Sequence, residues 1–172
     1  MQVADDRIIR KVVRFLFYNF TLILPRSNLT EHILLPHRSI ITSVVKVALG
    51  LQPIVQVTDL SMPVNIGQEQ TELRDFIRLA FVALGIDIEF SGKGLHEKGV
   101  VVDMDEDTVL SLGLDADQLR FGQTVVRCSA DIDAAGTYQS IDIDLSANKT
   151  TEQIVTDLVL LILTTLKGNT AG

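Results

Sequence analysis

Apolar and polar positions along this chain follow two periods, and the switches between them mark its elements. Ile8, Ile9, Val12 and Leu16 recur at helical spacing, which predicts a helix over 5–18 capped by Asp5 or Asp6. A short strand follows over 20–24, stopped by Pro25, and residues 25–35 read as irregular. Pro36 suits a first helical turn and Gly50 suits the residue past a helix end, so a second helix is expected from Pro36 to Leu49. Strands are expected at Ile54–Val57 and Pro63–Ile66, with a loop over Gly67–Gln70. Leu73, Phe76, Ile77, Ala80 and Leu84 then form the clearest apolar stripe, on a helix expected to be capped by Thr71 and ended by Gly85.

The second half alternates more. Ile86–Phe90 reads as a strand, Ser91–Gly94 as a glycine-rich turn and Val100–Val102 as a further strand. Asp103–Asp107 is expected to open a short helix ending at Gly113, because acidic groups favour a helix N-terminus. Strands at Gln123–Cys128 and Ser140–Leu145 flank a loop over 129–137. Thr151 is expected to cap a last helix to Lys167, with Gly168 starting a tail. The sum is α/β or α+β: a small mixed sheet flanked by four or five helices, in one domain over 1–172, without a complete Rossmann half.

Composition narrows the core. Trp is absent and aromatics make up 5% of 172 residues, so the interior is expected to be Val, Ile and Leu. Few stacking platforms and a net charge of −7 argue against a nucleic-acid binder. The charge is uneven. Residues 1–50 carry seven Lys/Arg against three Asp/Glu, and 51–172 carry eight against nineteen. The first stretch is thus a basic helical segment, with Arg7, Arg10, Lys11 and Arg14 on one helix face, read as a solvated face. The acidic end is 105–172. No apolar run reaches the length of a membrane span. The single Cys128 and the absence of a basic-then-apolar leader point to a reducing compartment, the cytoplasm.

Catalytic constellations are missing. His32, His37 and His96 lack the two-His spacing of a zinc helix, and the acidic cluster at 103–107 fails the calcium-loop pattern. Neither a Gly-x-Ser-x-Gly elbow nor a Gly-x-Gly-x-x-Gly fingerprint occurs. No catalytic or metal-binding residue is assigned.

Three stretches, HRSIITSVVKVALGLQ (37–52), PVNIGQEQTELRDFIRLAFVALGIDIEF (63–90) and SGKGLHEKGVVV (91–102), lie in the order seen in the C-terminal part of the extended short-chain dehydrogenases. They most resemble GDP-mannose 4,6-dehydratase, and residues 51–104 are the best family-like region. The third stretch is the most specific, because Gly92, Gly94, Glu97 and Gly99 fall together in the family's Gly-x-Gly-x-x-Glu-x-Gly pattern. The resemblance implies a nucleotide-sugar-binding domain whose contacts to a GDP-sugar come from Asn19, Arg26, Arg38, Gly92, Gly94 and Glu97. It also implies that strands within Ile54–Phe90 are neighbours in one sheet.

The chain departs from the family where chemistry would be done. The family's NADP is expected to find no site on this chain alone, since the glycine-fingerprint half is missing. The family's Tyr-x-x-x-Lys pair, an acid/base hydroxyl and the cation that lowers its pKa, has no counterpart. Tyr18 is followed four on by Leu22, and Tyr138 by Asp142. The family's Pro-Arg-Tyr-Phe-Arg-Pro stretch is replaced by 128–134. Any dehydratase-like activity would therefore need a missing partner domain. The alternative is a structural protein that forms a homo-oligomer without ligand.

Overall fold

The computed structural model describes residues 36–66, 69–130, 141–143 and 149–170, which fall in one compact unit, Leu35–Gly172. The helix expected over 5–18, the strand over 20–24 and the loop over 131–137 lie outside the described residues, as do Asn19 and Arg26.

The architecture is mixed α/β. Among the described residues, helices α1 (Pro36–Ala48), α2 (Leu73–Val82), α3 (Glu106–Ser111) and α4 (Thr151–Thr170) accompany seven strands. These are β1 (Val55–Val57), β2 (Pro63–Ile66), β3 (Glu69–Glu72), β4 (Ile86–Ser91), β5 (Lys98–Met104), β6 (Thr124–Cys128) and β7 (Ile141–Ile143). The single sheet expected from sequence is divided in two. One sheet has the order β1-β6-β5-β4, with β1 parallel to β6 and the other pairs antiparallel; the other has the order β3-β2-β7. The three strands expected within 54–90, here β1, β2 and β4, are consequently not neighbours of one another. β1 and β4 occupy opposite edges of the larger sheet, while β2 and β3 lie in the smaller one.

Helices α1, α2 and α4 pack on one another, and α1 and α2 pack on the strands. Phe76, Ile77, Leu84, Ile41 and Ile88 are fully buried, and Val55, Val126, Val155 and Val159 fill the space around them. The core is aliphatic as expected, with Phe76 and Phe81 as its fully buried aromatic rings. Thr164 and Thr165 sit in the apolar run of α4 without strain on the polar inventory, because their hydroxyls donate to the carbonyls of Leu160 and Leu161. Among the described residues no helix is long and apolar enough to cross a membrane.

Three expectations need correction. Glu69–Thr71 is strand rather than loop and cap: β3 pairs with β2, and Gln70 donates to Asn65 across the ladder at 2.9 Å. Thr71 therefore does not cap α2, which starts at Leu73 after an extended Glu72 with no side-chain cap. β3 reads EQTE and has three of its four side chains exposed, so no alternation of apolar residues announced it. The cap of α4 is Thr150, one residue earlier than expected. Its hydroxyl accepts from the Gln153 N–H at 3.3 Å, and the Gln153 side chain accepts from the Thr150 N–H at 3.1 Å. This reciprocal box satisfies two donors at once. Finally, Gly168 lies inside α4 rather than in a tail. Lys167 anchors that end by donating to the carbonyls of Leu112 and Gly113, the last carbonyls after α3, at 2.5 and 2.7 Å.

Candidate functional site

Strand direction brings one set of ends together. β1 and β6 run parallel, β5 runs against β6, and β4 against β5. The carboxyl ends of β1, β4 and β6 therefore lie at one end of the larger sheet, together with the start of β5. That is where α/β sheets usually hold ligands. The start of α2 joins it: the N–H groups of Leu73 and Arg74 donate to the carbonyls of Met62 and Leu60, in the loop after β1.

The β4–β5 connection, residues 92–97, closes this end. Gly92 takes φ +89°, and a Cβ there would lie 2.4 Å from the carbonyl oxygen of His96. The backbone must pass itself closely at this point, which only glycine allows. A 3-10 turn over Gly94–His96 follows, with the Glu97 N–H donating to Gly94 O at 3.1 Å. The chain then enters β5, where Gly99 leaves room for the ring of Phe90, 3.0 Å from where a Cβ would stand. Gly92 and Gly94 thus lead into a strand and not into a helix N-terminus. This turn does not fit the pyrophosphate cradle of a dinucleotide such as NADP.

Glu97 faces inward. It is the buried charged residue of the described core, 5% exposed, and its carboxylate meets the Arg74 guanidinium at 2.7 Å. The same guanidinium holds the exposed Glu72 at 2.7 Å through Nε. Arg74 so ties the turn to the start of α2. Of the residues expected at the site, Gly92, Gly94 and Glu97 come together here. Arg38 lies in the first turn of α1, half-buried, on an element that packs against β1, β7, α2 and α4.

Cys128 ends β6 beside this ion pair, 3% exposed. Burial raises its pKa, a backbone contact with Leu60 opposes the shift, and the negative charges of Glu97 and Asp59 add to it. Asp59, in contrast, is held below the usual carboxylate range by the hydroxyl and the N–H of Ser61, which donate to it at 2.6 and 2.8 Å, and more weakly by Arg74. The thiol is therefore protonated and inert at neutral pH, not a nucleophile. Because its folded pKa is raised, its neutral state favours folding below the ordinary thiol pKa, and that contribution is lost as pH rises through the raised value. Native chain is expected to react with a disulfide reagent at pH 8 more than about 100-fold slower than urea-unfolded chain, since only opened molecules expose the sulfur. Equal rates would show that Cys128 is accessible.

Sequence reading missed Arg74 and the neighbours of Cys128. Arg74 lies 23 residues from Glu97 in the chain, and no local spacing links them. It also missed that Lys98 stands directly opposite Arg127 across the β5–β6 ladder. Compared with family models and with curated proteins, the chain finds no match in either.

Proposed function

We propose that this chain is a nucleotide-sugar-binding domain that takes a GDP-sugar and does not turn it over alone. One observation supports the reading most. The glycine turn of 91–97, the segment most like the GDP-mannose 4,6-dehydratase pattern, closes the end of the sheet where the carboxyl ends of β1, β4 and β6 converge. The turn is pinned from within by Arg74 and Glu97, so its exposed face is presented in one shape. The division of strands between two sheets takes away fold-level support, and the reading rests on this segment and its placement. The cytoplasm suits a chain with one buried thiol.

Calorimetric titration of GDP-mannose into the full chain is expected to give a millimolar or tighter Kd, weakened about tenfold in Arg38→Ala if that guanidinium meets a phosphate. No conversion of the sugar is expected with or without added NADP, for want of the Tyr/Lys pair. A flat titration at millimolar ligand refutes the binding domain.

A second reading, self-association without ligand, has Phe121 in its favour: a ring 70% exposed in the loop before β6. Light scattering would then show a dimer or larger assembly that GDP-mannose does not alter.

A further inference from the structure

The register of the larger sheet aligns four polar side chains, one from each strand. Ser91 on β4 is opposite Lys98 on β5, Lys98 is opposite Arg127 on β6, and Arg127 is opposite Gln56 on β1. All four are exposed. The next row, Phe90, Gly99, Val126 and Val55, belongs to the opposite face and contributes to the core. Adjacent strands are about 4.8 Å apart, so the exposed row spans about 14 Å. It contains a hydroxyl, an ammonium, a guanidinium and an amide, and no carboxylate.

The two cations at its centre repel one another. The Cys128 N–H donates to the Glu97 carbonyl, which flanks Lys98 and Arg127 and makes them the closer, non-hydrogen-bonded kind of pair. Like charges directly opposite across a ladder are destabilising. The ion pairs among the described residues use Arg74 and Lys149 as cations, and none of those pairs includes Lys98 or Arg127. On the exposed face, the nearest carboxylate in the register of the described strands is Glu89, two positions before Ser91 on β4 and opposite Val100. Lys93 lies in the turn directly after Ser91.

We infer that this row, centred on Lys98 and Arg127, is a binding site for a diphosphate group. A guanidinium forks onto the oxygens of one phosphate and an ammonium takes the other as a point charge. Ser91 and Gln56 donate at the two ends. No aromatic side chain stands in the row to stack a base, and the chain is acidic overall, which favours a small anion over a nucleic-acid strand. The site deepens the nucleotide-sugar reading and rests on it for what the diphosphate is attached to.

The test titrates inorganic pyrophosphate and GDP-mannose separately into the full chain, wild type and Lys98→Gln/Arg127→Gln, at low salt. Wild type is expected to bind pyrophosphate, more weakly as salt rises, and the double variant at least about tenfold more weakly. Because repulsion is removed, the variant is expected to melt about 1–3 °C higher, which separates lost binding from lost folding. If both ligands bind and both are lost in the variant, the site and the nucleotide-sugar reading stand together. If pyrophosphate is lost while GDP-mannose never binds tighter than pyrophosphate, the site stands and that reading falls. If GDP-mannose binds wild type and variant equally, the site is overturned and the reading survives. If neither ligand binds wild type, both are overturned.

Discussion

Gly92→Ala is expected to destabilise the domain by about 2–4 kcal/mol, the sum of a strained backbone and an overpacked turn. Gly92 sits at φ +89°, where side chains other than hydrogen are strained. The added Cβ would meet the carbonyl oxygen of His96 at 2.4 Å and the Cα of Glu97 at 3.2 Å. Both are backbone atoms, so no rotamer change relieves the contact. Gly94 supplies the control. It also has positive φ, +56°, but a Cβ there meets nothing within 4 Å. Gly94→Ala should therefore lose only the left-handed conformational term, about 1 kcal/mol. Urea titrations followed by circular dichroism measure both. Equal losses at the two positions would mean that the close approach at Gly92 is not what makes it necessary.

Arg74→Met is expected to lose about 2–3 kcal/mol. Breaking a fully buried pair costs about 3–5 kcal/mol, because the remaining charge is left without compensation. The figure is lowered here because the Arg74 side chain is 33% exposed, against 7% for Glu97. The exposed Glu72–Arg74 pair adds little, as surface pairs do. The double variant Arg74→Met/Glu97→Gln removes the stranded charge and is expected to recover more than half of the loss. A double variant as unstable as Arg74→Met would show that packing of the arginine stem, and not its charge, holds the turn.

Both predictions concern residues that the sequence treated unequally. The glycines at 92 and 94 and the glutamate at 97 could be singled out, because three special residues within six positions form a local pattern. What each does was not legible. Glu97 was expected to face ligand, and it faces Arg74 inside the protein. No periodicity distinguishes an inward from an outward carboxylate at the end of a strand.

The same division holds for the elements. The stripe of α2 was readable because Leu73, Phe76, Ile77 and Ala80 recur at helical spacing and are all buried, as is Leu84 just past the helix end. The acidic run at 103–107 was readable as a helix start, and Asp105 does cap α3, accepting from the hydroxyl and N–H of Thr108, which lowers its pKa. β3 was unreadable because its strand character comes from β2 beside it and not from its own EQTE. β5 is longer than its apolar centre suggests. Lys98-Gly99 looks like turn sequence until Phe90 covers the glycine.

The sequence by itself determined the local part of this protein: which stretches are helical, which of their faces are apolar, an aliphatic core, and the absence of a catalytic Tyr/Lys pair. These follow from residue type and from spacing along the chain, which the sequence contains in full. Only the tertiary structure decided that the strands divide into two sheets, that Arg74 reaches Glu97, and that Lys98 and Arg127 stand side by side in a row of donors. The last two residues are 29 positions apart. Their meeting is set by strand order and register, which arise from burying one face of the whole sheet at once, and no short stretch of chain specifies that.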